Sequence, residues 1–309
     1  MSAIWIPKRL VEVSLINAAA ADKASFVRHC EFEYESRVYA AAKEIVASGR
    51  HIVMLTGPSA SGKTTTSHKI AEKLRSMGRQ AEVISMDDFY KNPEVYPRLA
   101  DGTKDYENVY AVDIELMDKC LNELLTTGKT VLPKFDFKTE YRIENANPLD
   151  IGDGFVIVEG IHALNPIVLN GLNREKIFTI YAGLREEYSY QGQRIIPTRD
   201  LRLVRRMIRD HKYRGHSPQK TIGMWASVCE GEDRYIKPFK PNADLILDTS
   251  FSCEILVANS ALKNLSAEIM DNTPESERFE QLLKNFSKCD FIREGDLLPS
   301  SMLKEFYGL

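Results

Sequence analysis

The run Gly57-Pro58-Ser59-Ala60-Ser61-Gly62-Lys63-Thr64 constrains this chain more than any other feature. It has the spacing GxxxxGK[ST]. It follows the apolar run Ile52-Val53-Met54-Leu55 and opens a helical pattern over 64–77, with Ile70, Ala71 and Leu74 on one side and Gly78 just past the end. Strand, glycine-rich turn and helix in that order make a phosphate cradle. Glycines let the loop curl so that successive backbone N–H groups point inward, and the helix start adds further donors. Lys63 is spaced to reach β- and γ-phosphates, and the Thr64 hydroxyl to ligate Mg²⁺. A glycine-rich turn can match this pattern by accident, but not between a buried strand and a helix. The expected nucleotide-binding set therefore runs from Gly57 through Thr65.

Four further strand candidates follow the same logic: Ala81–Met86, Phe155–Val158, Lys176–Ala182 and Ala243–Asp248. They alternate with helical patterns, one from about Val112 to Leu125 before Gly128 and another after Gly160. Uninterrupted apolar strands alternating with helices predict a mostly parallel sheet covered on both faces, an α/β fold. Before the first strand, Phe32, Val38, Tyr39, Ala42, Ile45 and Val46 fit an amphipathic helix over 26–46, stopped at Ser48-Gly49. After Phe251, the residues Ile255, Leu256, Ala258, Leu262 and Leu265 return to helical spacing. At roughly 150 residues per domain, a chain of 309 residues holds one large domain or two ordinary ones. We read a mainly helical extension over 1–45, an α/β core over 46–250 and a second helical extension over 251–309.

Composition narrows the function classes. With 43% hydrophobic and 28% charged residues, the chain can bury a core and is neither disordered nor collagen-like. Forty-four acids against 41 bases leave a net charge of −3, so nucleic acid is not an expected partner and any anion site must be local. The five cysteines are scattered, with no CxxC pair, which reads as reduced thiols in a cytosolic protein. No apolar run approaches the roughly 18 residues that cross a bilayer. Lys8-Arg9 followed by LVEVSLINAAAA faintly mimics a secretion signal, but Glu12 and Asn17 interrupt it. The expectation is a cytoplasmic protein without a membrane partner. Homo-oligomerisation is left open.

Two acidic positions fall at the carboxyl ends of strands, where a parallel sheet places its chemistry. Asp87 and Asp88 close the strand after the P-loop helix, and Glu159 closes VIVEG. One such acid alone more often begins a turn. Two beside a P-loop point to Mg²⁺ coordination and activation of an acceptor hydroxyl. Downstream, Arg202, Arg205, Arg206, Arg209 and Lys212 recur at helical spacing, while Leu201, Val204, Met207 and Ile208 take another face. A charge run is usually a solvated face. This one continues into the turn Arg214-Gly215-His216-Ser217-Pro218, the composition of a cationic lid over a transferring phosphoryl group.

MDDFYK, DYENVYAVD, LPKFDF, VIVEGIHAL, RRMIRD with a following RG, and ADLIL occur in this order over 46–250. In that ordered set the chain resembles the uridine kinase and phosphoribulokinase family of P-loop kinases. The resemblance implies a nucleoside-monophosphate-kinase-like fold with five parallel strands and a mobile lid, here about 199–220. It implies ATP and Mg²⁺ as cofactors and a nucleoside or related ribosyl compound as acceptor. By position, Asp87 matches the base that takes the acceptor proton, acting with Lys63, Arg209 and Arg214. Glu159 matches the acid near Mg²⁺, completing a metal set with Thr64 and Asp87. Tyr90 matches an acceptor-contacting aromatic and Glu107 the acid that holds ribose hydroxyls. Phe135, Glu140 and Arg205 complete the expected acceptor-binding set. The ending LLPSSMLKEFYGL looks like the close of longer bacterial nucleoside-kinase-like proteins whose preceding threonyl-tRNA-synthetase-like region has no room here.

Three departures touch base recognition. Phe135 stands where uridine kinases have a tyrosine, Glu140 where their base-reading histidine would be, and Trp225 near a glutamine that reads the pyrimidine. Each also has an ordinary reading, Phe135 and Trp225 as core aromatics and Glu140 as a solvated loop acid. Two rival functions stand beside a nucleoside kinase: a sugar-phosphate kinase, which needs extra cations for its acceptor, and a non-catalytic nucleotide-binding module, which has no use for Asp87.

Overall fold

Residues 6–98, 102–105, 107–269 and 272–308 are described by the structure, a computed structural model. Tyr106 of the DYENVYAVD run and Leu309 of the ending lie outside the described residues. The chain opens with β1 (Arg9–Glu12), α1 (Val13–Ala19) and the long α2 (Lys23–Ser48), then β2 (Ile52–Thr56), α3 (Lys63–Ser76) and β3 (Ala81–Ser85). Next come α4 (Ile114–Thr127), β4 (Lys129–Asp136), β5 (Tyr141–Asp150), β6 (Phe155–Glu159), the single-turn α5 (Pro166–Leu169) and β7 (Ile177–Gly183). Two short strands, β8 (Glu186–Tyr190) and β9 (Gln193–Ile196), precede α6 (Thr198–Arg214) and α7 (Pro218–Tyr235). The last elements are β10 (Leu245–Asp248), α8 (Glu254–Leu265), α9 (Pro274–Phe286) and α10 (Lys304–Tyr307). As expected, Gly49 caps α2 in the left-handed conformation, at φ 65°.

The five strand candidates are the five strands of the central sheet, ordered β10-β7-β2-β6-β3 and all parallel. Ile52, Met54, Val156 and Val158 are buried in a core on one face, and Val53, Leu55 and Ile157 in a core on the other. That double burial is why these strands read as continuous apolar runs. The chain leaves β2 for the β3 edge, returns to β6, and then crosses to β7 on the other side. The order therefore reverses beside β2. A crevice opens outside the carboxyl ends of the strands at such a reversal.

Residues of both flanking segments share the core of the α/β part. Val38 and Ile45 of α2, with Leu282, Phe286 and Phe306, belong to the cluster that holds Val53 and Leu55. Two smaller sheets have no counterpart in the sequence reading. β4 and β5 form an antiparallel hairpin, and β1, β8 and β9 a three-stranded sheet. β5 is largely solvent-facing, so it lacks an apolar signature. β8 begins with the buried Glu186 and Glu187, which pair with Arg9 at 2.9 Å and with Lys8 at 2.6 Å respectively.

The α6 helix departs from expectation. Its arginine face is not solvated: Arg202 and Arg205 are buried along with Leu201, Val204 and Met207. Arg202 meets Glu232 at 2.6 Å and Arg205 meets Glu254 at 2.5 Å. Arg205 also packs on the Phe306 ring, with its guanidinium carbon 4.8 Å from the ring centre. The expected lid over 199–220 is therefore rooted in the core through Ile208, and mainly the turn from Lys212 to Ser217 is exposed. Arg205→Ala leaves Glu254 buried without its partner, so it should cost about 3–5 kcal/mol of stability. A shift of the urea midpoint checks this, and an unchanged midpoint contradicts it.

No helix among the described residues is long and apolar enough to cross a membrane.

Candidate active site

The P-loop emerges from the carboxyl end of β2. A Cβ at Gly57 would lie 2.1 Å from the Ala182 carbonyl oxygen on β7, so only glycine fits that passage. α6 fastens the loop from outside. Arg202 Nη1 donates to the Ser59 carbonyl at 3.0 Å, Arg205 Nη1 to the Ala60 carbonyl at 3.3 Å and Arg206 Nη1 to Ser59 Oγ at 2.9 Å. With these carbonyls engaged by arginines, the loop keeps the concave, donor-rich form that suits an anion. Lys63 Nζ donates to the Pro58 carbonyl at 3.3 Å. Burial lowers the Lys63 pKa, against the opposing pull of Glu159, Glu305 and Asp87.

Ser59 through Thr64 line a cavity of about 740 Å³. Gly57, Pro58 and Thr65 form the base and flank of the loop outside that lining. Glu159, at the end of β6, accepts from Thr64 Oγ1 and from Ser85 Oγ, both at 3.3 Å. Burial raises the Glu159 pKa, with Lys63 opposing.

The adjacent acids after β3 divide their work. Asp87 lines the cavity, and burial raises its pKa against the pull of Lys63, with Asp88 adding to the rise and Arg214 opposing it. Asp88 turns away to the β4–β5 hairpin, accepting from the Phe135 N–H at 3.2 Å and pairing with Lys134 Nζ at 3.2 Å. Geometry thus separates two residues that the sequence sets side by side.

An aromatic cluster lines the same cavity. Tyr90 and Phe135 meet edge-on with ring centres 5.6 Å apart, as do Phe135 and Phe137 at 5.1 Å, and Tyr96 lies beside Tyr90. Glu107 faces the same space from a turn packed against α7, where a Cβ on Gly231 would touch it at 3.4 Å. Burial raises its pKa, against Arg206 and Lys63. Glu140 also lines the cavity, but from the hairpin tip in a left-handed conformation (φ 59°). Its side chain is 52% exposed and lies 3.8 Å from Lys104.

At the far end of α6, Asp210 gathers three guanidinium groups. It pairs with Arg206 at 3.2 Å, Arg209 at 2.8 Å and Arg214 at 3.5 Å. All three line the cavity, and Asp210 is buried.

One expected acceptor contact requires correction. Arg205 is absent from the cavity lining because its guanidinium is consumed by Glu254 and two carbonyls beneath the P-loop. Trp225 is also a core residue, stacked 5.6 Å from the Arg202 guanidinium, so its ordinary reading holds. Arg206, expected only as part of the cationic lid face, lines the site, and Tyr96, Phe137 and Asp210 stand beside it without having been expected. The FDF spacing and the alternation of β4 could have signalled Phe137. Glu305 was missed too and had no signal: it reaches the P-loop from 240 residues away.

The model of the phosphoribulokinase / uridine kinase family matches residues 52–182 and 193–255. A uridine kinase of Bacillus pumilus (strain SAFR-032) is 30% identical over 200 residues, covering 63% of this chain and 85% of that protein. Uridine-cytidine kinase A of Dictyostelium discoideum is 30% identical over 253 residues, covering 81% of this chain and 44% of that longer protein. A solved structure assigned as a fructose transport system kinase of Silicibacter sp. TM1040 superposes with a TM-score of 0.51 at 20% identity. The match covers 68% of this chain and 98% of that one, a likeness of fold.

Proposed function

The chain belongs to the phosphoribulokinase / uridine kinase family, and we propose that it transfers the γ-phosphoryl group of ATP to a primary hydroxyl of a nucleoside or related ribosyl compound. One observation carries this reading. A single cavity is lined by the P-loop with Lys63, by the aromatic cluster with Glu107, and by Asp87. Donor and acceptor can thus meet without leaving the site, and positioning supplies much of the catalysis.

In this reading Asp87 takes the proton of the attacking hydroxyl, and its raised pKa suits a base whose partner is a weak acid. Lys63, Arg209 and Arg214 stabilise charge on the moving phosphoryl group. Oxygens of Thr64, Glu159 and Asp87 form a hard donor set that fits Mg²⁺ held jointly with nucleotide phosphates. When bound, Mg²⁺ neutralises charge on those phosphates. The wall of Tyr90, Tyr96, Phe135 and Phe137 favours a flat base over a second phosphate group, which argues against a sugar-phosphate acceptor. Facing a P-loop, Asp87 argues against a purely regulatory module. We place the protein in the cytoplasm, consistent with five free cysteines.

Arg209 and Arg214 sit in the last two turns of α6, Arg214 in its exposed end, and should act most once the nucleotide is bound. Replacing either by alanine should lower kcat by more than about tenfold while changing ATP affinity less. Equal losses in both would mark a fixed nucleotide patch.

Glu107 is placed to accept hydrogen bonds from ribose hydroxyls. A hydrogen bond to a charged group contributes about 1.5–3 kcal/mol. The kcat/KM ratio of a ribonucleoside over its 2′-deoxy analogue should therefore be roughly 10–100. An ionised Glu140 only accepts hydrogen bonds and would disfavour carbonyl-rich uracil, but at the rim it is screened by water and Lys104, so that bias should be small. Glu140→Ala should change kcat/KM for uridine by less than about threefold. Equal use of uridine and deoxyuridine would remove Glu107 from acceptor recognition.

A further inference from the structure

The segment around α10 does not pack away from the nucleotide site; it reaches into it. Glu305 Oε2 accepts from the Thr65 hydroxyl at 2.6 Å and from the Thr65 backbone N–H at 3.4 Å. Thr65 lies in the first turn of α3, whose unpaired amides carry the positive end of the helix dipole. Glu305 also lines the main cavity. Its charge bears on the Lys63 ammonium, as do those of Glu159 and Asp87.

The backbone bearing Glu305 is held firmly. Met302, Leu303, Phe306 and Tyr307 are buried on both sides of it. The Tyr307 hydroxyl donates to Glu254 at 3.0 Å, and a Cβ on Gly62 would meet Met302 Sδ at 2.7 Å. From the lid side, Lys212 Nζ donates to the carbonyls of Tyr307 at 3.2 Å and Gly308 at 3.1 Å, while the Tyr213 hydroxyl donates to Gly308 at 3.0 Å. The Glu305 side chain is itself only part-buried, so it can move while its backbone stays fixed.

In a P-loop, the lysine serves the β- and γ-phosphates while the backbone amides cradle the α- and β-phosphates. Thr65 is two residues past the lysine in the first turn of α3, and its amide already holds a carboxylate. We propose that Glu305 is a built-in competitor for the donor nucleotide: its carboxylate occupies the P-loop donor that an inner phosphate of ATP would use, and must swing aside for ATP to seat fully. This rests on reading the P-loop as the ATP site. Anchoring by the core keeps the carboxylate at high effective concentration beside that amide. The segment is bonded to the same end of α6 that carries Arg209 and Arg214. Movement of that end and release of Glu305 are therefore coupled through these hydrogen bonds.

A competitor of this kind weakens ATP binding in proportion to its occupancy. If the amide is taken about nine-tenths of the time, the dissociation constant rises about tenfold. Glu305→Gln keeps the shape and an acceptor for Thr65 but removes the charge. In the full-length chain it should bind Mg·ATP roughly tenfold more tightly by calorimetry, lower KM for ATP to match, and leave the melting temperature nearly unchanged. Glu305→Ala, which also removes the acceptor, should tighten ATP as well. If Glu305 only caps α3, both variants bind ATP as the wild type does, and Glu305→Ala melts lower. If Glu305 helps hold the nucleotide, both bind it more weakly. Either result overturns the proposal. Failure of the donor site itself looks different: neither Mg·ATP nor inorganic tripolyphosphate would bind the wild type or either variant, and the competitor would fall with the site.

Discussion

Lys63→Ala is expected to reduce phosphoryl transfer by about 10²–10³-fold or more, with the fold retained. Lys63 is the first residue of α3 and is only partly buried, so alanine there leaves no core cavity. What disappears is the cation placed at the phosphates, inside a cavity that already contains the carboxylates of Glu159, Glu305 and Asp87. Without it, an incoming polyphosphate meets a local excess of negative charge. The variant should keep the wild-type circular dichroism and melting temperature. Undiminished transfer by this variant would take the P-loop out of the mechanism.

Asp87→Asn should slow the chemical step by roughly 10²–10⁴-fold while ATP still binds. The amide preserves shape but cannot accept the proton. Asp88→Asn is the matched control, because Asp88 holds the Phe135 N–H and Lys134 instead of facing the cavity. Its replacement loosens the β4–β5 hairpin that carries Phe135 and Phe137, so the effect should fall on the acceptor's KM. Single-turnover rates with both variants separate these outcomes. A silent Asp87→Asn beside a crippled Asp88→Asn would reverse the assignment of the two residues.

The parts of this architecture that were legible in the sequence are those whose signal is local. A strand buried on both faces must be apolar throughout, so all five strands of the central sheet announce themselves. A loop that cradles phosphate needs its glycines, lysine and hydroxyl at fixed spacing, and that spacing is visible in the chain. The roles of α6 were less legible because periodicity assigns residues to a face and says nothing about what covers that face. Arg205 and Arg209 are four apart, yet one is enclosed by Glu254 and Phe306 while the other lines the cavity. Burial of Arg202 and Arg205 depends on acids contributed by α7 and α8, which no local window contains. Strand β8 was hidden for the same reason, since its glutamates are neutralised by cations from the chain's beginning and from β9. The acceptor wall was half legible: Tyr90, Glu107 and Phe135 came from their motifs. Tyr96 and Phe137 became neighbours only when the hairpin folded over the turn after β3.

The most direct measurement is ADP release from Mg·ATP by the purified protein, with and without a panel of nucleosides, coupled to detection of the phosphorylated acceptor. A slow basal rate and a marked rise with at least one ribonucleoside are expected. The product should carry its new phosphate on the primary hydroxyl, and Asp87→Asn should lose the rise but not ATP binding. ADP release that stays the same with every nucleoside and ribosyl compound, and no phosphorylated acceptor, would contradict it.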